Sequence, residues 1–431
     1  MASFFNLQNK ALNNPATRPA FHPVVLHSVV CALIFMVVYF LEVYCPVAYT
    51  YFVNEDSWVE YGTFACYLLA AVLIFWALKK DHNLRRPGYV LFCLGLFFVA
   101  MEEISWGQRF FGIRTPHLIA QFNQQSELSL HNVPFFPAEH LFFYAIVFWA
   151  VILPEISYRS QYLNKFLKSF GIPLAPREIY SYFILGFLYI NSQIVIETHE
   201  LGELLTGLGF VLFAVDLRIN IPGGPASLNL NKGRAAGLAI LVILAVTALL
   251  VLAGPQEVYS LKRRLHKSAA TDYPKYGMNG QAIKLFEYLL HHEKLRNDDT
   301  LFQYGVFLKK LNRNESGGVF LQALEEARTG MVQNPDKSAP NILAGKILKE
   351  LNQPGLASQE FAEALRKDQI RLAQAKLDWQ KADALKSMGE AYIEMGESGL
   401  AKEHLQKAMD YTADGWTKRK IKKLFISIDS R

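Results

Sequence analysis

Cysteine is scarce in this sequence. The four that it contains, at positions 31, 45, 66 and 93, lie in its apolar half. None belongs to a CxxC pair or to a zinc-binding spacing, so the sequence indicates neither a zinc ribbon nor a dithiol redox site. We therefore interpret these cysteines as core or lipid-facing thiols.

Long runs of positive charge are missing as well. The net charge is only +6, and the Lys and Arg residues form short clusters between apolar runs. This pattern is typical of membrane topology rather than nucleic-acid binding, and we expect no nucleic-acid partner. Residues 1–21 are polar and do not resemble a secretory signal peptide, so the first apolar run is expected to remain as an anchor.

Long apolar runs are nearly absent after residue 254 but frequent before it. A membrane-spanning helix needs about 20 mostly apolar residues. Seven segments meet or approach this requirement: 23–43, 58–78, 87–107, 135–155, 178–198, 200–218 and 235–254. The fifth and sixth are almost continuous, so we predict a tight hairpin at ETHELGE (197–203), relaxed by Gly202.

Basic residues in the short loops predict the orientation of these spans. The N-terminal tail and the loops near residues 79–86, 159–177 and 218–234 carry most of the Lys and Arg residues, whereas the intervening loops carry few. The protein is therefore expected in the inner membrane, with its N-terminus on the cytoplasmic side. An odd number of spans would place the C-terminal half outside, although KRRLHK at 262–267 argues against this.

The C-terminal half contains an internal repeat. Two segments, 341–368 and 385–410, carry small and large residues at matching positions, with Gly345 and Phe361 equivalent to Gly389 and Leu405. In the tetratricopeptide repeat, which these segments resemble, small residues let two antiparallel helices approach and a large residue fills the gap. Tyr304 and Gly305 mark a more degenerate copy. An insertion near 369–380 is expected to lengthen a helix.

The expected fold is thus all-α, a polytopic helical membrane bundle of about seven spans followed by a TPR-like α-solenoid. The expected domains are a cytoplasmic tail (1–22), a transmembrane helical domain (23–254), a linker (255–279) and a helical repeat domain (280–431). Such solenoids present a concave surface to proteins, so a protein partner is expected at residues 280–431.

Polar residues concentrate at the ends of the spans that are expected to face outward. The apolar run that starts at Tyr89 is too short to span alone, so completing it brings the next polar residues to membrane depth. Ionisable groups at that depth are functional candidates. The candidate catalytic residues are Glu102, Glu103, His131 and His199. The candidate binding residues are Glu60, Ser105, Gln108, Arg109, Asn123, Glu127, Asn132, His140, Glu197, Glu200 and Glu203.

These residue types suit proton transfer or metal binding. Adjacent carboxylates in different surroundings can act as acid and base. Histidines and carboxylates could also hold a zinc ion with an activated water, although no HExxH motif is present. If the helix continued, Glu102, Ser105 and Arg109 would share one face and Glu103 would point elsewhere.

The segment EEISWGQRFFGIRTP and the following NQQSELSLHN resemble a family of uncharacterised bacterial multi-pass membrane proteins. The shared signature is EEISWGQR, then TP, then N-x-Q-x-E, then LHN. It corresponds here to Glu102–Arg109, Thr115–Pro116, Asn123, Gln125, Glu127 and Leu130–Asn132. The resemblance covers about 35 residues and implies a multi-pass membrane protein without implying an activity.

A weaker resemblance links the chain to glutamate-type intramembrane proteases, whose pattern is EExxxR, FxxxH and HxxxN. The corresponding residues are Glu102–Glu103 with Arg109, Phe136 with His140, and His199 with Glu203. The arginine lies two residues too far along the chain, and the last position is Glu rather than Asn.

Three hypotheses therefore remain open. In the first, an outward-facing pocket binds or processes an amphipathic lipid or lipid-linked substrate, and Arg109 binds an anionic headgroup. In the second, the chain is a non-catalytic envelope assembly factor whose polar cluster fixes the helices together. The third is a transporter, against which the lack of an evident inverted repeat argues.

Overall fold

The computed structural model describes residues 23–53, 58–111, 113, 115, 138–191, 198–219, 232–253, 258–412 and 415–429. In these residues the regular structure is helical throughout, with no strand, which confirms the all-α prediction. Contacts divide the chain into two units. Of the described residues, the first unit holds those in 23–42, 58–104 and 138–253, and the second holds the rest.

The helices of the first unit correspond to the seven apolar segments of the sequence. They are α1 (Pro23–Tyr44), α3 (Trp58–Lys80), α4 (Pro87–Glu103), α6 (Ala138–Val147), α7 (Leu153–Arg159), α8 (Gln161–Phe170), α9 (Tyr180–Asn191), α10 (Thr198–Ile219) and α11 (Lys232–Ala253). A π-helical turn, Phe148–Ile152, joins α6 to α7 without interruption. Short helix α8 has no counterpart among the predicted spans.

The helices of the second unit are mostly those of the C-terminal half. They are α2 (Pro46–Phe52), α5 (Gln108–Phe111), α12 (Val258–Lys267), α13 (Tyr273–Lys275), α14 (Asn279–His291), α15 (Thr300–Lys310), α16 (Ser316–Gln333), α17 (Ala339–Glu350), α18 (Pro354–Gln374), α19 (Asp378–Met395), α20 (Ser398–Tyr411) and α21 (Gly415–Asp429). The segment 258–275, assigned to a linker from the sequence, is helical.

Among the residues that the structure describes, three helices are long and apolar enough to cross a membrane. They are Val24–Tyr44, Trp58–Lys80 and Leu141–Arg159, and a shorter apolar helix covers Ala236–Val251. The predicted span 87–107 is shorter than expected, because α4 ends at Glu103 after 17 residues.

Helices α9 and α10 are antiparallel neighbours. Gly186 lies against Thr206, and Ile190 lies against Gly202, so positions rise along one helix as they fall along the other. The chain therefore reverses between them, as predicted. The predicted role of Gly202 is wrong, however, because Gly202 lies inside α10, where the lack of a side chain lets the backbones approach closely.

Helix α10 is also packed against α3, this time in the same direction. Gly62 lies against Leu204 near the start of both helices. One turn further on, the rings of Tyr67 and Phe210 are 5.6 Å apart. Helices α3 and α10 therefore begin at the same end of the first unit.

The directions of α4 and α6 follow from their contacts with α10. Phe92 of α4 meets Phe210, which lies deep in α10, while Glu103 at the end of α4 is near Glu203 at the start of α10. Helix α4 therefore runs against α10. Phe143 of α6 contacts His199, and the following turns of both helices remain in contact, so α6 runs with α10.

The directions of α1 and α11, the first and last long helices of the first unit, follow from their contacts. Helix α1 runs with α9, since His27 contacts Tyr182 and Phe35 contacts Tyr189. Thr247, in the last third of α11, lies near the start of α3, as in an antiparallel pair. Successive long helices of the first unit thus alternate in direction along the chain.

In the second unit, three helix pairs repeat the same contact. Gly305 of α15 lies against Phe320 of α16, and Gly345 of α17 lies against Phe361 of α18. In the third pair, α19 and α20, Gly389 lies against Leu405. The predicted packing of a large side chain on a glycine is confirmed at Gly345 and Gly389, and the structure adds Phe320 as the partner of Gly305. Helix α18 is lengthened to 21 residues, also as predicted.

The turn inside each pair is also repeated. Asn312, Asn352 and Gly396 have φ values of 53°, 58° and 84°, the left-handed conformation that closes a helix C-terminus. The N–H of the next residue donates to the carbonyl oxygen five positions earlier, at 3.0, 2.9 and 2.9 Å. In each pair, the glycine that contacts a large side chain lies seven positions before the left-handed residue of the turn. The same local structure therefore occurs three times.

A buried polar network joins the second and third pairs. Asp368 of α18 is fully buried and accepts hydrogen bonds from Ser338 and Arg371, both at 2.7 Å. Arg371 also donates to Asp383 of α19 at 2.6 Å. Burial raises the pKa of Asp368 despite these donors.

The short helix α2 is packed against the start of the C-terminal half. Gln281 of α14 donates to the carbonyl oxygen of Val43 at 3.0 Å, and the hydroxyl groups of Tyr51 and Tyr288 are 3.0 Å apart. Arg264 of α12 donates to the carbonyl oxygen of Val53 at 3.3 Å. The segment that follows α1 is therefore bound to α12 and α14 within the second unit.

We predict that Gly345→Leu destabilises the second unit by about 1–3 kcal/mol, because the added side chain would overlap the ring of Phe361. Gly355→Ala is the matched control, since Gly355 is exposed in α18 with no atom near the position of an added Cβ. Thermal melting of the full-length protein, followed by circular dichroism, should show a loss for the first variant only. Equal melting temperatures would contradict this packing.

Candidate functional site

Five carboxylates gather at one end of the first unit. The described charges that act on Glu103 are those of Glu203, Glu200, Glu60 and Glu102, in decreasing order of strength. Three helices supply them, since α3 and α10 begin at this end and α4 finishes there. We call Glu60, Glu102, Glu103, Glu200 and Glu203 the carboxylate cluster.

Small residues allow these helix ends to come together. A Cβ at Gly207 of α10 would overlap Cys66 of α3, and Gly202 of α10 is equally close to α9. Because α10 touches a neighbour on each side through glycine, it lies deep between α3 and α9. The first turns of α10 are thereby held beside the first turns of α3 and the last turn of α4.

His199 lies on the edge of the cluster. Its Nδ1 atom is 3.6 Å from Oε1 of Glu203, one turn along α10. Its ring contacts the ring of Phe143 edge-on at a centroid distance of 5.8 Å, and Phe143 is buried. The imidazole is therefore held between an apolar wall and a carboxylate.

His199, Glu200 and Glu203 are spaced so that they could hold a metal ion. One ligand atom from each residue lies within 4.8 Å of the others. Three such ligands with a fourth position for water or substrate would suit a catalytic zinc ion. Without a metal, the same groups offer a histidine and a carboxylate for proton transfer.

The backbone after Glu103 adopts an unusual conformation. Ser105, Trp106 and Gly107 are all left-handed, with φ values of 47°, 56° and 73°. This conformation costs a bulky residue such as tryptophan about 1–3 kcal/mol and persists only where the surroundings impose it. Ser105 is buried in this turn, whereas Trp106 is 41% exposed.

This turn corrects the expected arrangement of the EEISWGQR segment. The helix ends at Glu103, so Ser105 and Arg109 do not continue a helical face from Glu102. Glu103, which was predicted to point away from the face of Glu102, lies within electrostatic reach of the other four carboxylates. The face predicted from helical spacing does not form, because the helix ends earlier than the pattern of apolar and polar residues indicates.

The structure brings part of the predicted site together. His199 and the carboxylate cluster are close to one another, as described above. Gln108 donates to Thr115 at 2.5 Å in the segment after the turn. The side chains of Arg109 and His140, and residues Asn123, Glu127, His131, Asn132 and Glu197, lie outside the described residues.

Two polar residues near this end were missed from the sequence. Tyr67 is buried in α3 within electrostatic reach of Glu103 and Glu203, and its spacing of seven from Glu60 was the available signal. Glu42, only 1% exposed near the end of α1, acts electrostatically on Tyr189 of α9. A single carboxylate near the end of an apolar run gives no signal that distinguishes it from an ordinary span end.

No protein-family model matches the chain, and no curated protein sequence is significantly similar to it.

We predict that Glu203→Gln raises the melting temperature of the purified protein. The described charges acting on Glu103 are all negative, so removing one of them relieves repulsion, and functional sites commonly retain such destabilising groups. Each kcal/mol gained should raise the melting temperature by about 2–4 °C. Glu178→Gln, which changes a carboxylate outside the cluster, should have little effect. A lower melting temperature for Glu203→Gln would instead indicate a structural network.

Proposed function

We propose that the chain is a membrane protein of seven spans whose outward-facing carboxylate cluster binds and processes the polar part of a lipid or lipid-linked substrate. The observation that carries this proposal is the convergence of five carboxylates and a histidine from three helices. Ionisable groups gathered at membrane depth are costly, and they are retained where they bind or transform a ligand.

Seven spans are supported by the alternating directions of the long helices. Helices shorter or more polar than a typical span, such as α9 and α10, are paired through glycine rather than exposed. Such helices remain compatible with a bilayer because their neighbours cover their polar groups. The pattern fits one pass for each of α1, α3, α4, α6–α7, α9, α10 and α11.

The orientation we propose places the N-terminus in the cytoplasm and the C-terminal half outside an inner membrane. Basic residues in the loops support the first statement. The packing of α2 against α12 and α14 supports the second, because α2 begins two residues after α1 ends. If α1 crosses the membrane from the cytoplasm, α2 follows it on the outer side.

The C-terminal half is proposed to be a TPR-like domain that recruits a protein partner. Three helix pairs with the same glycine contact and the same left-handed turn support this reading. Stacked pairs of this kind form extended surfaces that bind protein segments.

Two alternatives remain. In one, the chain is a non-catalytic scaffold, and the carboxylate cluster only fixes helices. In the other, it is a hydrolase similar to the glutamate-type intramembrane proteases, with Glu103 as the base. The position of Glu103 among carboxylates and near Tyr67 is compatible with a base. The resemblance to the EEISWGQR family adds a multi-pass context and no activity.

We expect the protein to retain lipid through the carboxylate cluster when it is purified in a mild detergent. Glu103→Gln and His199→Ala should each lower the amount of one lipid class bound per protein, because they remove polar contacts to its headgroup. Mass spectrometry of extracted lipids measures this. Elemental analysis of the same samples tests for zinc held by His199, Glu200 and Glu203.

Glu178→Gln serves as the control for lipid retention, since it keeps the cluster intact. If all variants fold and hold the same lipids in the same amounts, the cluster does not bind lipid, and the scaffold reading is favoured. Loss of lipid from the control as well would point to general instability rather than to a site.

Cysteine labelling in intact cells tests the orientation. In a Cys45→Ser background, Ala270→Cys should react with a membrane-impermeant maleimide, since Ala270 is exposed just after α12. Ser169→Cys at the end of α8 should react only after lysis. Labelling of residue 270 only after lysis would invert the proposed topology.

A further inference from the structure

Helix α8 is an amphipathic helix that directly follows a candidate membrane span. One residue, Ser160, separates the span Leu141–Arg159 from the start of α8. Ser160 between them is extended, and its hydroxyl oxygen accepts a hydrogen bond from the N–H of Leu163 at 3.3 Å. This cap starts a new helix in a new direction instead of prolonging the span.

The two faces of α8 differ sharply. Tyr162, Phe166 and Phe170, four positions apart, form an aromatic stripe that is 83%, 46% and 53% exposed. Only Leu167, on one side of this stripe, is buried against the first unit. The opposite face is polar and carries Gln161, Asn164, Lys165 and Lys168.

Three large aromatic side chains exposed together need an apolar partner. The candidate span supplies the context, because its own exposed residues Phe148, Ile152 and Ile156 lead toward α8. An exposed apolar side of the span is therefore followed along the chain by the exposed aromatic stripe.

The charges around α8 match an anionic surface. Lys165 and Lys168 are exposed on the polar face of α8. The Arg86 guanidinium donates to the carbonyl oxygen of Lys168, which brings the basic loop between α3 and α4 to the same place. Lys79 and Lys80 form the last turn of α3 just before that loop, and Arg85 of the loop donates to the carbonyl oxygens of Leu78 and Lys79. Such clusters of basic residues beside a span are attracted to anionic lipid.

The position of α8 is fixed rather than loose. Gly171, with φ of 68°, closes the helix, and Gly88 is packed so tightly against it that no side chain would fit there. Beyond this turn, Trp149 Nε1 donates to the carbonyl oxygen of Pro173 at 2.8 Å. Because these contacts already fix α8, little conformational entropy is lost when the aromatic stripe binds a partner.

We propose that α8 lies in the plane of the membrane interface and binds anionic lipid, independently of what the carboxylate cluster does. Tyr162, Phe166 and Phe170 lie among the upper acyl chains. Lys165 and Lys168 lie at the phosphate level on the basic, cytoplasmic side. The helix anchors the cytoplasmic ends of α4 and α7 at a fixed depth.

Fluorescence quenching in lipid nanodiscs tests the depth of the helix. The full-length protein, with Cys45 replaced by serine, carries an environment-sensitive fluorophore at Phe166→Cys or, as the control, at Gln161→Cys, an exposed position on the polar face of α8. Lipid with a nitroxide on an upper acyl carbon should quench the label at 166 on the order of twofold more strongly, as the apolar face lies about 5–10 Å into the interface. Equal quenching at both positions, or quenching at neither, would overturn the proposal.

The lipid preference has its own test. Quenching at 166 should be stronger in nanodiscs that contain phosphatidylglycerol than in phosphatidylcholine alone, and Lys165→Gln with Lys168→Gln should remove this difference. The same difference in the double variant would refute a role for these lysines. Cross-linking between two copies through residue 166, together with weak quenching, would show that a second copy covers the stripe instead.

Discussion

The close approach of three helices through glycine is the constraint on which the candidate site depends. Helix α10 touches α9 at Gly202 and α3 at Gly207, and larger residues at either position would separate the helices. Because the carboxylates are carried by first and last helical turns, a shift of a few ångströms at these contacts would move them out of reach of one another. The acidic end of the first unit is therefore a product of backbone packing more than of loop structure.

The sequence predicted helix positions well and side-chain directions poorly. Seven apolar segments marked where the long helices of the first unit lie, because apolar length and basic flanks are local properties. The arrangement of Ser105 and Arg109 depended on where α4 ends, and the helix ends at Glu103, just before three left-handed residues at 105–107. Gly202 was assigned to the hairpin turn, because its close packing can be recognised only when the facing residues of α9 are known.

The repeats were predictable because their signal is internal to the sequence. The spacing of Gly345 and Phe361 recurs at Gly389 and Leu405, and such recurrence indicates the same packing twice. The buried Asp368 network was not predicted, because it joins residues of α18 and α19 with Ser338 just before α17, and these residues share no spacing. Tyr67 and Glu42 were not predicted to lie near the site, because each is a single polar residue within an apolar run.

The parallel course of α3 and α10 makes the five carboxylates unequal. Glu60 and Glu200 are each the third residue of their helix, where unpaired backbone amide hydrogens create a partial positive charge. Glu102 and Glu103 occupy the last turn of α4, where unpaired carbonyl oxygens create a partial negative one. Two members of the cluster thus receive electrostatic support from the backbone and two are opposed by it. This built-in asymmetry separates the carboxylates into different chemical settings before any ligand binds.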